Sequence, residues 1–116
     1  MVNVTMVLAQ GPGFPEGNLE DRMHLHVRLT AQGHLDSAAW EAGTTPWMTS
    51  RERPDHPTRT GELVKIEEGW ALRHLGSEDD PLYSFSAQIV RPGEIVQIRR
   101  LDGDEMLYRI VAVEPA

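Results

Sequence analysis

His24 and His26 stand two residues apart in Met-His-Leu-His-Val-Arg-Leu-Thr, residues 23–30. Alternate side chains of a strand share a face, so both imidazoles project from one side. Two imidazoles so placed can ligate a transition metal, which makes His24 and His26 the candidate metal ligands. His34, His56 and His74 are available as a third ligand, and no spacing selects among them. Trp47, Arg51 and Arg53 form a second candidate group. Trp and Arg carry much of the energy of protein interfaces, so these three are candidate partner-binding residues. Arg99, Arg100 and Arg109 fall on one predicted hairpin and offer a phosphate-binding face. Asp102, Asp104 and Glu105 sit at the tip of the same hairpin, and a two-residue Asp102-Gly103 turn places Glu105 opposite Arg100.

The chain lacks the other residues that such chemistry needs. A cupin-like metal set would add a glycine six positions before the first His and an acid after the second. Here Gly17 lies seven before His24, and Thr30 and Ala31 stand where the acid would be. There is no cysteine, so no thiolate metal site, disulfide or cysteine nucleophile exists. No Gly-x-Ser-x-Gly surrounds any serine. The paired carboxylates, Glu67-Glu68 and Glu78-Asp79-Asp80, fall in predicted turns, where water keeps a carboxyl an ordinary base. Gly11-Pro12-Gly13 is no phosphate loop, because proline removes an amide donor and no Lys-Ser/Thr follows. No catalytic residue is assigned and no cofactor is expected.

The elements that must position these residues are mostly strands. Leu25, Val27 and Leu29 alternate with His24, His26 and Arg28, the period of a half-buried strand. Asp36 caps a short helix, Ser37 to Ala42, ended by Gly43. Trp47 to Arg53 reads as extended, and Pro54 and Pro57 make the next segment a loop. From Gly61 the chain is strand and turn: 62–66, 70–75, 82–90, 95–101 and 106–113. Arg91-Pro92-Gly93-Glu94 has the proline and glycine of a type II turn. Trp47, Trp70, Phe85 and Tyr108 are the expected large core residues. This pattern predicts a mainly β domain, a small antiparallel barrel or sandwich, SH3-like or similar, with one short helix.

The 116 residues suffice for one domain, assigned to 23–116, with 1–22 as an extension and linker. Residues 1–9 read as a short strand or tail. No Lys or Arg precedes their apolar run, as a secretory signal would require, and Gln10 to Asp21 is rich in Gly, Pro and acid. On that reading a side chain at Gly13 is harmless, whereas one at Gly103 strains a hairpin. Eleven basic against eighteen acidic residues give a net charge of −7, which disfavours nucleic acid and anionic membranes as main partners. A cytoplasmic location is expected.

One resemblance emerges from the order of several short segments. They are Leu-Thr-Ala-Gln-Gly-His-Leu-Asp-Ser-Ala-Ala-Trp (29–40), Gly-Glu-Leu-Val (61–64) and Gly-Trp-Ala-Leu-Arg (69–73). Glu-Asp-Asp (78–80), Arg-Pro-Gly-Glu-Ile-Val-Gln-Ile-Arg (91–99) and Tyr-Arg-Ile-Val-Ala-Val (108–113) follow. Together they resemble a family of small bacterial β-rich proteins with no assigned function. The likeness covers roughly residues 23–115. Its motifs are turn and core residues, so it implies a shared fold and transfers no site residue.

These observations favour a non-enzymatic binding or adaptor module that recognises another protein. A metal-dependent enzyme or sensor built on His24 and His26 is the first alternative. A nucleic-acid accessory factor built on the Arg99, Arg100 and Arg109 hairpin is the second.

Overall fold

A computed structural model describes residues 1–67, 69–74, 83–100 and 103–116. Eight strands run as an up-and-down antiparallel meander and close into a barrel. In chain order they are β1 (Val2–Gln10), β2 (Asn18–Val27), β3 (Trp47–Glu52), β4 (Arg59–Ile66), β5 (Gly69–His74), β6 (Tyr83–Ser86), β7 (Ile95–Arg99) and β8 (Glu105–Pro115). The helix α1 (Ser37–Ala42) lies between β2 and β3. Of the expected architectures, the chain therefore takes the barrel rather than the sandwich. No helix among the described residues is long and apolar enough to cross a membrane.

Alternation selects the inner face of each strand. Val4, Met6 and Leu8 of β1, Met23, Leu25 and Val27 of β2, and Met106, Tyr108 and Ile110 of β8 are all buried in one apolar core. Trp47, Leu63, Leu72, Phe85, Val96 and Ile98 complete it from the other strands, with Val90 from the segment between β6 and β7. Trp47, Phe85 and Tyr108 are buried as expected, and Trp70 is half-buried.

The strands share two ends. At one, α1 covers the barrel. Asp36 caps the helix by accepting a hydrogen bond from the Ala39 amide, as the short polar side chain of an N-cap does. Trp40 donates its indole N–H to the Leu63 carbonyl at 3.2 Å and meets Trp70 edge-on, 6.3 Å between centroids. Trp70 in turn stacks on Trp47 at 5.3 Å. Three indoles thus seal this end. The opposite end is the mouth, where the β1–β2, β3–β4 and β7–β8 connections emerge.

Residues 1–22 are not an extension. β1 pairs with β2 along Val2↔Val27 to Leu8↔Asn18 and with β8 along Val2↔Pro115 to Gln10↔Leu107. It is the strand that closes the barrel. Register shifts near Met6, Leu8 and Gln10 bring both Val7 and Leu8 into buried positions, which breaks the two-residue period a sequence reading relies on. The Gly/Pro-rich stretch is a tight connection rather than a linker. Gly11 and Phe14 exchange backbone hydrogen bonds, and the Gly17 amide donates to the Phe14 carbonyl. Gly13 has φ +79°, so a side chain there is strained after all. At Gly17 (φ +83°) a Cβ would lie 2.4 Å from the Leu8 carbonyl oxygen and 2.8 Å from that of Ala9.

Two further expectations change. The predicted strand 82–90 is described only as β6, Tyr83–Ser86, because the chain then leaves the sheet and the Val90 amide donates to the Gly33 carbonyl. Leu82 lies outside the described residues, as does Asp102. In the β7–β8 hairpin, Arg99 rather than Arg100 faces Glu105, and the two side chains form an ion pair at 2.9 Å. The Arg100 amide donates to the Asp104 carbonyl and the Gly103 amide to that of Arg100. These bonds close a longer loop than a two-residue turn, with Gly103 at φ +100°, the glycine position of a three-residue hairpin.

Gly17 and Gly103 make a matched pair for measurement. Gly103 has open space around it, so Gly103→Ala meets only the backbone penalty, about 1 kcal/mol. Gly17→Ala adds a collision with backbone carbonyls and is expected to cost roughly 2–4 kcal/mol. Urea unfolding at one pH reads both. Equal midpoints for the two variants would contradict the packed β1–β2 connection.

Candidate functional site

The inner-face alternation of β2 runs back from Val27 through Leu25 and Met23 to Asp21, which is 2% exposed. On β3 it runs from Trp47 through Thr49 to Arg51. These two strands, with β8, bring Asp21, Arg51 and Tyr108 together below the mouth. Arg51 grips Asp21 with both arms of the guanidinium: Nε donates to Oδ1 at 3.1 Å and Nη2 to Oδ2 at 2.8 Å. The Tyr108 hydroxyl donates to the same Oδ1 at 2.9 Å. A buried carboxylate is costly unless charge and hydrogen bonds compensate it, and here three donors do so. Burial first, and the Asp21 carboxylate next to it, push the Tyr108 phenol well above its usual range, against the opposing charge of Arg51. Burial pulls the Arg51 guanidinium down, but its bond to Asp21 and the nearby tyrosines outweigh this, and its net direction is up.

Above this cluster lies a cavity of about 330 Å³ that opens to solvent. Leu8, Phe14 and Met106 give it apolar walls, and Asp21, Arg51 and Arg53 line its β2–β3 side. Tyr83 and Arg100, from the far side of the barrel, also line it, with the Arg100 guanidinium 5.5 Å from the Tyr83 ring centre. Arg59 stands on the rim as the register partner of Arg51, and residues directly opposite each other in a sheet share a face. Burial lowers the Arg53 pKa, and the charges of Arg51 and then Arg59 press it further down, with Asp21 opposing. Among the described residues, neither Arg53 nor Arg59 makes an ion pair.

His24 and His26 are on the outer wall, away from the mouth, and each is engaged separately. His24 Nδ1 lies 3.4 Å from the Thr5 hydroxyl and its Nε2 lies 3.6 Å from Glu52. His26 Nδ1 lies 2.8 Å from the Asn3 amide oxygen. His34 and His56 bond to the carbonyls of Gln88 and Pro54, and His74 meets Tyr83 edge-on. The structure thus brings no third imidazole to the His24 and His26 pair, and no cluster of metal-ligating side chains occurs among the described residues.

The expected patch of Trp47, Arg51 and Arg53 does not form. Trp47 is 4% exposed and stacked at the closed end, whereas Arg51 and Arg53 belong to the mouth. The strand carries Trp47 and Arg51 inward on one face but about 13 Å apart, at ~3.3 Å per residue. The basic hairpin also separates. Arg99 is paired with Glu105 and Arg109 is exposed on the outer wall, while Arg100 turns to the mouth. The sequence motifs do not mark Asp21, Tyr108 or Arg59 as site residues. Extending the β2 alternation two residues beyond Met23 reaches Asp21, and an inward carboxylate is the signal that would have marked it.

Comparison of the chain with protein-family models, with curated proteins and with solved structures returns no match. The site therefore rests on its own geometry.

The buried cluster generates a paired prediction. Asp21→Ala strands a largely buried guanidinium and a buried hydroxyl and is expected to cost about 3–5 kcal/mol. Tyr108→Phe removes one bond to a charged acceptor and is expected to cost about 1–3 kcal/mol near neutral pH. The phenol also sets an alkaline limit. Its folded pKa lies above the unfolded value of about 10, so its contribution is complete below pH ~10. Above that, the unfolded chain loses the proton first and stability falls. Urea titrations at pH 8 and pH 11 should show a smaller alkaline loss in Tyr108→Phe than in the parent. An identical loss would contradict the buried, protonated phenol.

Proposed function

We propose that the protein is a non-enzymatic binding module that holds one small organic ligand in the mouth of its barrel. The carrying observation is the cavity over the Asp21, Arg51 and Tyr108 cluster. An eight-stranded barrel is just wide enough to fill with side chains or to hold one small ligand. This one is filled with apolar side chains at the α1 end and left open at the other. The volume sits at the small end of the range for ligand pockets, about 300–1,000 Å³. An apolar wall with a few convergent polar groups is the usual composition of such sites. Asp21 spends both carboxylate oxygens on Arg51 and Tyr108, so it supports the shape of the site rather than proton transfer. A binding module was the leading expectation from the sequence. The geometry favours a small molecule over a protein as its partner, because the three residues that suggested a protein-facing patch point into the barrel.

N-phenyl-1-naphthylamine, an uncharged apolar fluorophore, tests this reading. It is expected to bind at one per chain with blue-shifted, enhanced emission. Phe14→Ser at the mouth should weaken it at least fivefold, while His26→Ala on the outer wall should leave it unchanged. Absence of saturable binding would refute the proposal, and so would equal effects of the two substitutions.

A further inference from the structure

The chain carries a net charge of −7, yet among the described residues arginines outnumber acids in the lining of the cavity. Arg51, Arg53 and Arg100 line the cavity and Arg59 stands at its rim, against Asp21 and Asp104. Arg51 and Asp21 neutralise each other. Arg100 and Asp104, across the mouth, each already interact with neighbouring groups. That leaves Arg53 and Arg59, brought together by the β3–β4 hairpin and flanked by Arg51, with no ion pair of their own among the described residues. The nearest acid in sequence, Glu52, points to the outer wall beside His24. Asp55, the acid of the connecting loop, is exposed and pairs with neither arginine.

Like charges held close raise the free energy of the empty site, and an anion relieves this. Guanidinium groups also match the planar oxygens of carboxylates and phosphates better than any other side chain. The apolar contacts lie to one side, with Leu8 and Met106 buried and Phe14 exposed at the mouth.

Resting on the binding reading above, we infer that the ligand is an amphipathic organic anion. Its oxyanion head, carboxylate or phosphate, sits between Arg53 and Arg59 at the rim, and its apolar body lies against Leu8, Phe14 and Met106. The head interaction weakens with salt, because the rim is solvated.

Isothermal titration of the full chain with octanoate, octyl phosphate and 1-octanol separates the components. At least one of the two anions is expected to bind tenfold or more tightly than the alcohol, and the tighter of them identifies the head group. The advantage should vanish in Arg53→Gln/Arg59→Gln and persist in Arg109→Gln on the outer wall. It should also shrink between 50 and 500 mM salt. Alcohol and anions binding equally, or an advantage that survives the double substitution, would overturn the anion inference. If the neutral fluorophore still binds in that case, the binding module stands without it. If neither the fluorophore nor any of the three titrants binds, both readings fall together.

Discussion

The first and last strands of this protein lie side by side. β1 pairs with β8 along nearly its full length, and that seam turns a meander into a closed wall. An open sheet of the same strands would leave two edges of unpaired backbone groups exposed. Closure removes both and encloses the apolar faces of all eight strands around one core. The seam also fixes the register of β8, and with it the depth at which Tyr108 enters the interior. Everything at the mouth depends on that depth.

Inside the wall the interior changes character along its axis. At the α1 end, three indoles pack with the aliphatic residues, and Lys65 lies over the outer indole, 5.5 Å from the Trp70 ring centre. At the other end Asp21, Arg51 and Tyr108 form a polar layer in which each member satisfies another. Replacing such a layer by well-packed apolar residues is often neutral or favourable for stability, so its energy alone does not explain its presence. Its consequence is geometric. A layer of hydrogen-bonded side chains forms a rigid floor, and the space above it stays open as a cavity. The floor also consumes Asp21, the acid that would otherwise offset the arginines of the β3–β4 corner.

The outer wall shows how misleading local spacing can be. His24 and His26 do share a face, as their two-residue separation requires. Whether two imidazoles become a metal site depends on what a neighbouring strand places beside them. β1 supplies Thr5 and Asn3, and β3 supplies Ser50 opposite His24. Each histidine finds a separate partner. Trp47, Arg51 and Arg53 fail as a patch for a similar reason: adjacency in sequence along a strand is separation along the barrel axis.

Alternation, turn residues and the Asp36 cap determined by themselves that the chain would be mainly β with a two-turn helix at Ser37–Ala42. They also marked Trp47, Phe85 and Tyr108 as interior. These features are local: a strand's period, a cap and a glycine at positive φ are written within a few residues of one another. Only the tertiary structure decided that residues 1–22 are wall rather than extension, because register shifts disguise the period of β1 and its partner β8 lies about a hundred residues away. It alone decided which arginines are neutralised. Asp21 meets Arg51 across 30 residues and Tyr108 across 87, and pairings at that range are set by the closure of the barrel, which no short window of sequence contains.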